Sequence, residues 1–306
     1  MPTLAMPTGM RHIICDQGVA FRVWAPHADQ VFVLGDFNNW DEKSHPLEHE
    51  DSGYWAGIVE EASVGDEYKY LIVNGKQRLH RVDPYARELT NSVGNAVIHD
   101  GEFDWQGDNF VLSPWNEIVL YEMHIGTVHR KEDNVPGNLF TAMERLDYLQ
   151  RLGVNVIQLM PTAEFAGDWS WGYNPAHIFA VESIYGGPRA LKEFVLAAHQ
   201  SGIGVLLDVV YNHFGPSDLS LWQFDGWSEN GKGGIYFYND WRAATPWGET
   251  RPDYGRGEVR QFIRDNAFMW LDEYHMDGPR SGMTLYRRSV DGAEGNDLPE
   301  TGSLAQ

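Results

Sequence analysis

The stretch Gly204-Val-Leu-Leu-Asp208-Val-Val-Tyr-Asn-His213 sets one carboxylate inside an apolar run and an Asn-His pair at its end, before Phe214-Gly215-Pro216 breaks the pattern. A short apolar run bounded by turn residues reads as a strand buried on both faces, the kind found in parallel sheets. A carboxylate there is costly unless it is hydrogen-bonded, and a His at the strand's carboxyl end points toward loops. In α/β barrels that end carries the chemistry. On pattern alone the same residues serve equally well as a structural strand with one satisfied Asp and a surface His.

The elements around this strand alternate. Residues 118–125 read as a buried strand with a polar pair near its end. Residues 138–152 read as one helix, with Ala142, Leu146, Leu149 and Leu152 on one face and Gly153 as its stop. A strand follows over 154–160. Pro188 opens a second helix that turns Leu191, Phe194, Val195 and Ala198 inward and stops at Gly202. After the Asp208 strand, a third helix over about 258–274 uses Val259, Phe262, Ile263 and Trp270. Residues 276–280 occupy the place of a fourth strand. Strand and helix in strict turn mean parallel βα units.

The first part of the chain has the other periodicity. Apolar and polar residues alternate over 19–26, and strand-like runs recur at 30–34, 53–59 and 67–73. Turn signals separate them, the strongest being Asn74-Gly75. Short strands at this spacing predict a β-sandwich. The expected fold is therefore a β-sandwich over residues 1–110 followed by an α/β unit over 111–306.

Composition narrows the partners. The 306 residues carry 23 Lys plus Arg against 44 Asp plus Glu, a net charge of −21. Such a chain repels phosphate backbones and anionic membranes, so neither nucleic acid nor lipid is expected, whereas a neutral polymer is compatible with it. Twelve Trp and 14 Tyr suit stacking against sugars. Cys15 is the single cysteine, which excludes an internal disulfide and favours a cytoplasmic setting. The first residues lack the charged and apolar regions of a signal peptide, and no apolar run has membrane-spanning length.

Asp208-Val-Val-Tyr-Asn-His213 resembles the first signature motif of the α-amylase family of glycoside hydrolases (family thirteen), Asp-x-Val-x-Asn-His. Tyr121-Glu-Met-His-Ile-Gly126, Leu146-Asp-Tyr-Leu-Gln-Arg-Leu-Gly153, Trp171-Gly-Tyr-Asn-Pro175 and Thr245-Pro-Trp-Gly248 are similar to its bacterial α-1,4-glucan branching and glycosyl-trehalose trehalohydrolase members. Phe21-Arg-Val-Trp-Ala-Pro26, Leu34-Gly-Asp-Phe-Asn-Asn-Trp40 and Asp83-Pro-Tyr-Ala-Arg87 resemble a carbohydrate-binding module of family forty-eight, with an immunoglobulin-like fold. The resemblance implies an incomplete (β/α)8 TIM barrel of about four βα units behind that module. It implies an α-glucan polysaccharide such as starch or glycogen, or a maltooligosaccharide, as substrate, with no cofactor and no metal.

Residue by residue, the resemblance implies that Tyr173 stacks on the sugar at the cleavage subsite and His213 hydrogen-bonds a hydroxyl. Asp208 holds the polar network, and Arg280 sits beside the nucleophile. In the module, Trp40 stacks on sugar and Lys69 hydrogen-bonds hydroxyls, while the place of a second stacking Trp, near His80, holds none. Retaining glycosidases need a carboxylate nucleophile and a second carboxyl as acid/base. The family's nucleophile is the Asp closing Asp-Gly-x-Arg-x-Asp, and here that motif reads Asp277-Gly278-Pro279-Arg280-Ser281-Gly282. Gly282 has no atom that can attack an anomeric carbon. A barrel needs about 250 residues and about 190 follow Trp115, so the strands bearing the acid/base are expected beyond Gln306. Asp291, Glu294, Asp297 and Glu300 read as a solvated acidic segment rather than as substitutes. Pro279 is unexpected in a central strand. The open barrel face calls for a cover, for which a homodimer is one expectation.

Overall fold

The computed structural model describes residues 12–284 and Tyr286. The alternating residues near the amino terminus form eight strands: β1 Ile13–Cys15, β2 Gly18–Trp24, β3 Gln30–Gly35, β4 Glu48–His49, β5 Tyr54–Val59, β6 Glu67–Asn74, β7 Gln77–Arg81 and β8 Ala96–Val97. They pair antiparallel in two sheets, β1-β2-β5-β4 and β3-β6-β7, with β8 on β6. Period-two patterning puts Val19, Phe21 and Val23 of β2 and Tyr68, Tyr70 and Ile72 of β6 into the space between the sheets. Phe21 meets Tyr68 edge-on at 5.0 Å. The β6–β7 hairpin forms as expected, with Asn74 paired to Gln77 and Gly75 at φ 58° in the tight loop.

The second sheet system is parallel. Strands β9 (Leu120–Met123), β10 (Val156–Leu159), β13 (Gly204–Val209) and β14 (Gly278–Ser281) lie in the order β9-β10-β13-β14, an open barrel wall of four strands. Between β10 and β13 stand a hairpin of β11 (Ala163–Phe165) and β12 (Pro175–Val181), and helix α4 (Gly187–Gln200). Helices α1 (Ile125–Val128), α2 (Leu139–Met143) and α3 (Leu146–Leu152) connect β9 to β10, and α5 (Gly257–Asp272) leads into β14. Val205, Leu207 and Val209 of β13 are buried on one face, while Leu206 and Asp208 lie on the other. No helix among the described residues is long and apolar enough to cross a membrane.

Three expectations need correcting. The helix expected over 138–152 is two helices, α2 and α3, broken at Glu144-Arg145, where Glu144 pairs with Lys131 and His129. Ala142, Leu146 and Leu149 are buried as expected, but Leu152 is 62% exposed. The strand expected to be buried over 118–125 is shorter and lies at the sheet's edge, leaving Val119, Leu120 and Tyr121 exposed, because burial of a strand depends on what flanks it. Pro279 sits in β14 at the other edge, the position in a sheet that tolerates a residue without an N–H.

The two units share a continuous core. Trp24 of β2 meets Tyr236 edge-on at 5.6 Å. His27 donates through its backbone N and its Nδ1 to Asp225 Oδ2, at 3.0 and 2.8 Å. Arg81 donates to the carbonyls of Phe224 and Gln223. Buried Arg87 makes a two-pronged ion pair with Glu273 at 2.9 and 2.7 Å.

Candidate active site

The carboxyl ends of the parallel strands gather the site. In the β13–β14 register Asp208 lies directly opposite Arg280, so both side chains leave the same face of the sheet. Arg280 Nη1 donates to Asp208 Oδ2 at 2.7 Å, and the Tyr173 hydroxyl donates to the same oxygen at 2.7 Å. Asp208 is 1% exposed, and its other oxygen, Oδ1, is buried with no hydrogen-bond partner among the described residues. A buried carboxylate in that condition is paired on one side and holds unused acceptor capacity on the other.

The neighbours are tuned by these contacts. Burial and then the bond to Asp208 push the Tyr173 phenol above its usual value, so it stays a neutral donor. The bond to Asp208 raises the Arg280 guanidinium further still. Two strands away, Gln158 Nε2 donates to Glu122 Oε2 at 2.9 Å, its partner in the β9–β10 register.

His213 stands on the other side of Tyr173. Asn212 Nδ2 donates to its Nδ1 at 2.7 Å, which leaves the proton on Nε2, 3.3 Å from Asn174 Oδ1. Burial holds the imidazole neutral, its pKa lowered to about 4. Trp247 stacks on the ring at 4.7 Å with an interplanar angle of 16°. His213 is thus a fixed, uncharged N–H donor under an aromatic roof.

Gly282 follows β14 by one residue. Its φ is outside the left-handed region, and a Cβ there would meet only the Arg280 guanidinium, Nη1 lying 2.9 Å away. The backbone therefore accepts a side chain, and the neighbour that must move is the far end of a flexible one. Ser281 Oγ beside it is buried without a partner among the described residues. Asp291, Glu294, Asp297 and Glu300 lie outside the described residues.

The expected site residues thus fall into two groups. Tyr173, Asp208 and Arg280 are directly bonded, with His213 adjoining through Asn174. Trp40 and Lys69 belong to the sandwich and make no bond to that group. The Trp40 indole donates to Asp36 Oδ1 at 3.0 Å in the turn after β3, and Lys69 Nζ lies 3.5 Å from the Val93 carbonyl. Burial lowers the Lys69 pKa. Near His80, Glu42 binds both His80 and Arg78, at 2.9 and 2.6 Å, so an ion-pair cluster occupies the place of the absent second Trp.

Sequence reasoning missed Trp247 and Asn174 as neighbours of His213, although both lie inside motifs quoted above. The motifs carried family likeness, but which ring covers which is a property of the long 210–256 loop, and nothing in spacing encodes it.

Comparison with known proteins agrees with this layout. Residues 7–86 match the model of Carbohydrate-binding module 48 (Isoamylase N-terminal domain), and residues 85–273 match that of the Alpha amylase, catalytic domain. A 1,4-alpha-glucan branching enzyme from Pseudoalteromonas atlantica is 35% identical over 85% of this chain and 37% of its own length. A malto-oligosyltrehalose trehalohydrolase from Saccharolobus solfataricus is 34% identical over 87% of this chain and 44% of its own. A crystal structure described as an alpha amylase from Salmonella typhimurium superposes with a TM-score of 0.76 at 31% identity, over 89% of this chain and 43% of that one. A Group B Streptococcus pullulanase in complex with maltotetraose shares the fold, with a TM-score of 0.74 at 23% identity, over 91% of this chain and 42% of that one. The chain spans about two-fifths of the length of these curated relatives. With the catalytic-domain model covering more than half its residues, this chain belongs to the alpha-amylase family.

Proposed function

We propose that this chain recognises an α-1,4-glucan, as polysaccharide or maltooligosaccharide, and that its bond-cleaving chemistry is impaired. The observation that carries the reading is Asp208, a buried carboxylate bonded by Tyr173 and Arg280 on one oxygen and unpartnered on the other. A sugar hydroxyl fits that free oxygen, the Tyr173 ring offers an apolar face, and the His213 Nε2–H donates to a second hydroxyl. Trp40 and Lys69 add a weaker, separate contact on the sandwich.

The parent reaction on this reading is retaining. A carboxylate displaces the leaving glucosyl oxygen to form a covalent glycosyl-enzyme, and an acceptor sugar or water then releases it. Gly282 removes the attacking group, which also favours a second reading, a non-catalytic glucan-binding protein. The setting is read as cytoplasmic from the single Cys15, and the exposed Val119, Leu120 and Tyr121 favour a homodimer covering the open sheet. A monodisperse monomer by size measurement removes the dimer from the reading.

The test is product analysis after incubation with amylose and maltoheptaose. The chain as it stands is expected to bind both and to release no shortened or branched product. Turnover that vanishes in Tyr173→Ala overturns the impairment, because another carboxylate must then act. Gly282→Asp separates a missing nucleophile from a more extensive loss: regained cleavage assigns the defect to this position, and continued silence assigns it elsewhere.

A further inference from the structure

Gly282 closes the motif whose last residue, on the family resemblance, carries the attacking carboxylate. Apart from its chain neighbours, a Cβ here would come within 4 Å of one side chain among the described residues, that of Arg280. Nη1 lies at 2.9 Å, Cζ at 3.6 Å and Nη2 at 4.0 Å. The place of the attacking group is therefore walled by a guanidinium. Of the five N–H donors on that group, the bond to Asp208 uses one, through Nη1. The guanidinium makes no other hydrogen bond among the described residues, and the side chain is 45% exposed, so the remaining donors are accessible. Tyr173 shares Asp208 Oδ2 with Arg280, at 2.7 Å each, so a glucosyl ring lying on Tyr173 stands beside the same guanidinium.

The surroundings decide which partner fits these donors. Asp208 offsets part of the Arg280 charge, Glu122 of β9 also acts on it, and the chain as a whole carries −21. The general field therefore repels anions, polyanions most of all. What remains attractive is short-range and directional. A monocarboxylate carries a single charge, accepts two parallel N–H donors from one guanidinium, and needs no more room than a carboxyl side chain. Formate is the smallest of that class, and azide has its charge and similar bulk. Tyr173 and His213, both uncharged, add neither attraction nor repulsion.

We propose that a small monovalent anion of this class seats over Gly282 on the free donors of Arg280 and there replaces the attacking group that the chain lacks. The chain thereby gains an activity its own side chains do not supply, transfer of a glucosyl unit to an external anion. The anion seat stands without the glucan reading above; the transfer rests on it. With α-maltotriosyl fluoride as donor the step needs no acid. A lone pair on azide nitrogen forms the bond to the anomeric carbon, the carbon–fluorine bond breaks, and fluoride leaves with the electron pair. No proton moves and nothing is oxidised. The seat lies where the family's retaining nucleophile attacks, opposite the leaving group, so the product is the β-azide.

Two measurements on the full chain test the two halves. The first is line broadening of isotope-labelled formate in NMR at constant ionic strength. The unmodified chain is expected to broaden the signal, and added azide to reverse it. Gly282→Asp should abolish the broadening, because a fixed carboxylate takes the same donors. Arg280→Lys keeps the charge beside Asp208 but removes the fork, and should weaken formate about tenfold. A sharp signal with the unmodified chain overturns the proposal, and that result needs no variant to fold. Broadening that persists in both variants reports an adventitious ion only and overturns it too. The second measurement is formation of β-maltotriosyl azide from the fluoride, expected about a hundredfold faster than without protein and about tenfold slower in Gly282→Ala, whose methyl intrudes on the seat. A rate no faster than without protein, from a chain that binds both formate and maltoheptaose, overturns the transfer and leaves the glucan reading standing. Formate bound with no maltoheptaose bound supports the seat and overturns the glucan reading instead.

Discussion

The two ends of the parallel sheet both hold buried charge, but in different states of completion. At the carboxyl end Asp208 is bonded on one oxygen and idle on the other. At the amino end His199 of α4 sits between two carboxylates, with Nδ1 2.8 Å from Asp108 Oδ2 and Nε2 3.2 Å from Asp277 Oδ2. Phe110 stacks on its ring at 4.6 Å, and Asp277 also accepts from Val205 N at 2.7 Å. Burial opposes the charge on His199, but the bonds to Asp277 and Asp108 overcome it and raise its pKa. Every group in that clamp is occupied. It ties the segment between β8 and β9, helix α4 and the entry to β14 into one joint, so its work is mechanical. The carboxyl end keeps an unused acceptor, and the glucan proposal is built on it. The difference teaches that buried charge alone does not mark a site; buried charge with unused capacity does.

Breaking each end should separate fold from recognition. Asp277→Ala leaves His199 with one carboxylate and Val205 N without its acceptor, and is expected to cost about 3 kcal/mol in urea unfolding. Asp208→Asn is expected to cost about 1 kcal/mol, since Arg280 is half exposed and returns to water, while maltoheptaose affinity falls about tenfold or more. Equal losses of stability in the two variants would remove the distinction.

The two imidazoles sharpen the same comparison through pH. His199 is raised, so its stabilisation is full below the ordinary 6.5 and is lost as pH rises through its folded value. His213 is lowered to about 4, so its contribution is present above 6.5 and is lost as pH falls through about 4. His199→Gln is expected to make the alkaline fall in unfolding free energy shallower. His213→Gln should flatten the acid fall by about 2 kcal/mol. Slopes left unchanged in both variants would contradict these assignments.

The smallest effect belongs to the sandwich. Trp40→Ala is expected to reduce amylose affinity about twofold and to leave stability within about 1 kcal/mol. A tenfold loss would move the main glucan contact from the barrel end to the module.

Much of this architecture was legible because each pattern answered to a local rule. The Asp208 strand announced itself by four-sided apolar surroundings, α4 by Pro188 and its Leu191-Phe194-Val195-Ala198 stripe, and the sandwich by period-two alternation. The β11–β12 hairpin was not legible. Its first strand has three residues, its second opens on Pro175, and its register shifts twice, so no run is long enough to show a period. The exposure of β9 was hidden for another reason: Val119, Leu120 and Tyr121 have a core strand's composition, and only the sheet order shows that they lie at an edge. Of the site, the Asp208–Arg280 pairing needed register, and the clamp around His199 joins residues 108, 199 and 277, which no spacing rule connects.

The seam between sandwich and barrel has a consequence for how such proteins diversify. His27 on Asp225, Arg81 on two carbonyls and Arg87 on Glu273 are matched pairs whose halves lie some 140 to 200 positions apart in the gene product. A sandwich borrowed from a relative would arrive with its own donors and meet carboxylates placed for others. Recombination at the junction would therefore part His27 from Asp225 and Arg87 from Glu273 unless both sides crossed over together.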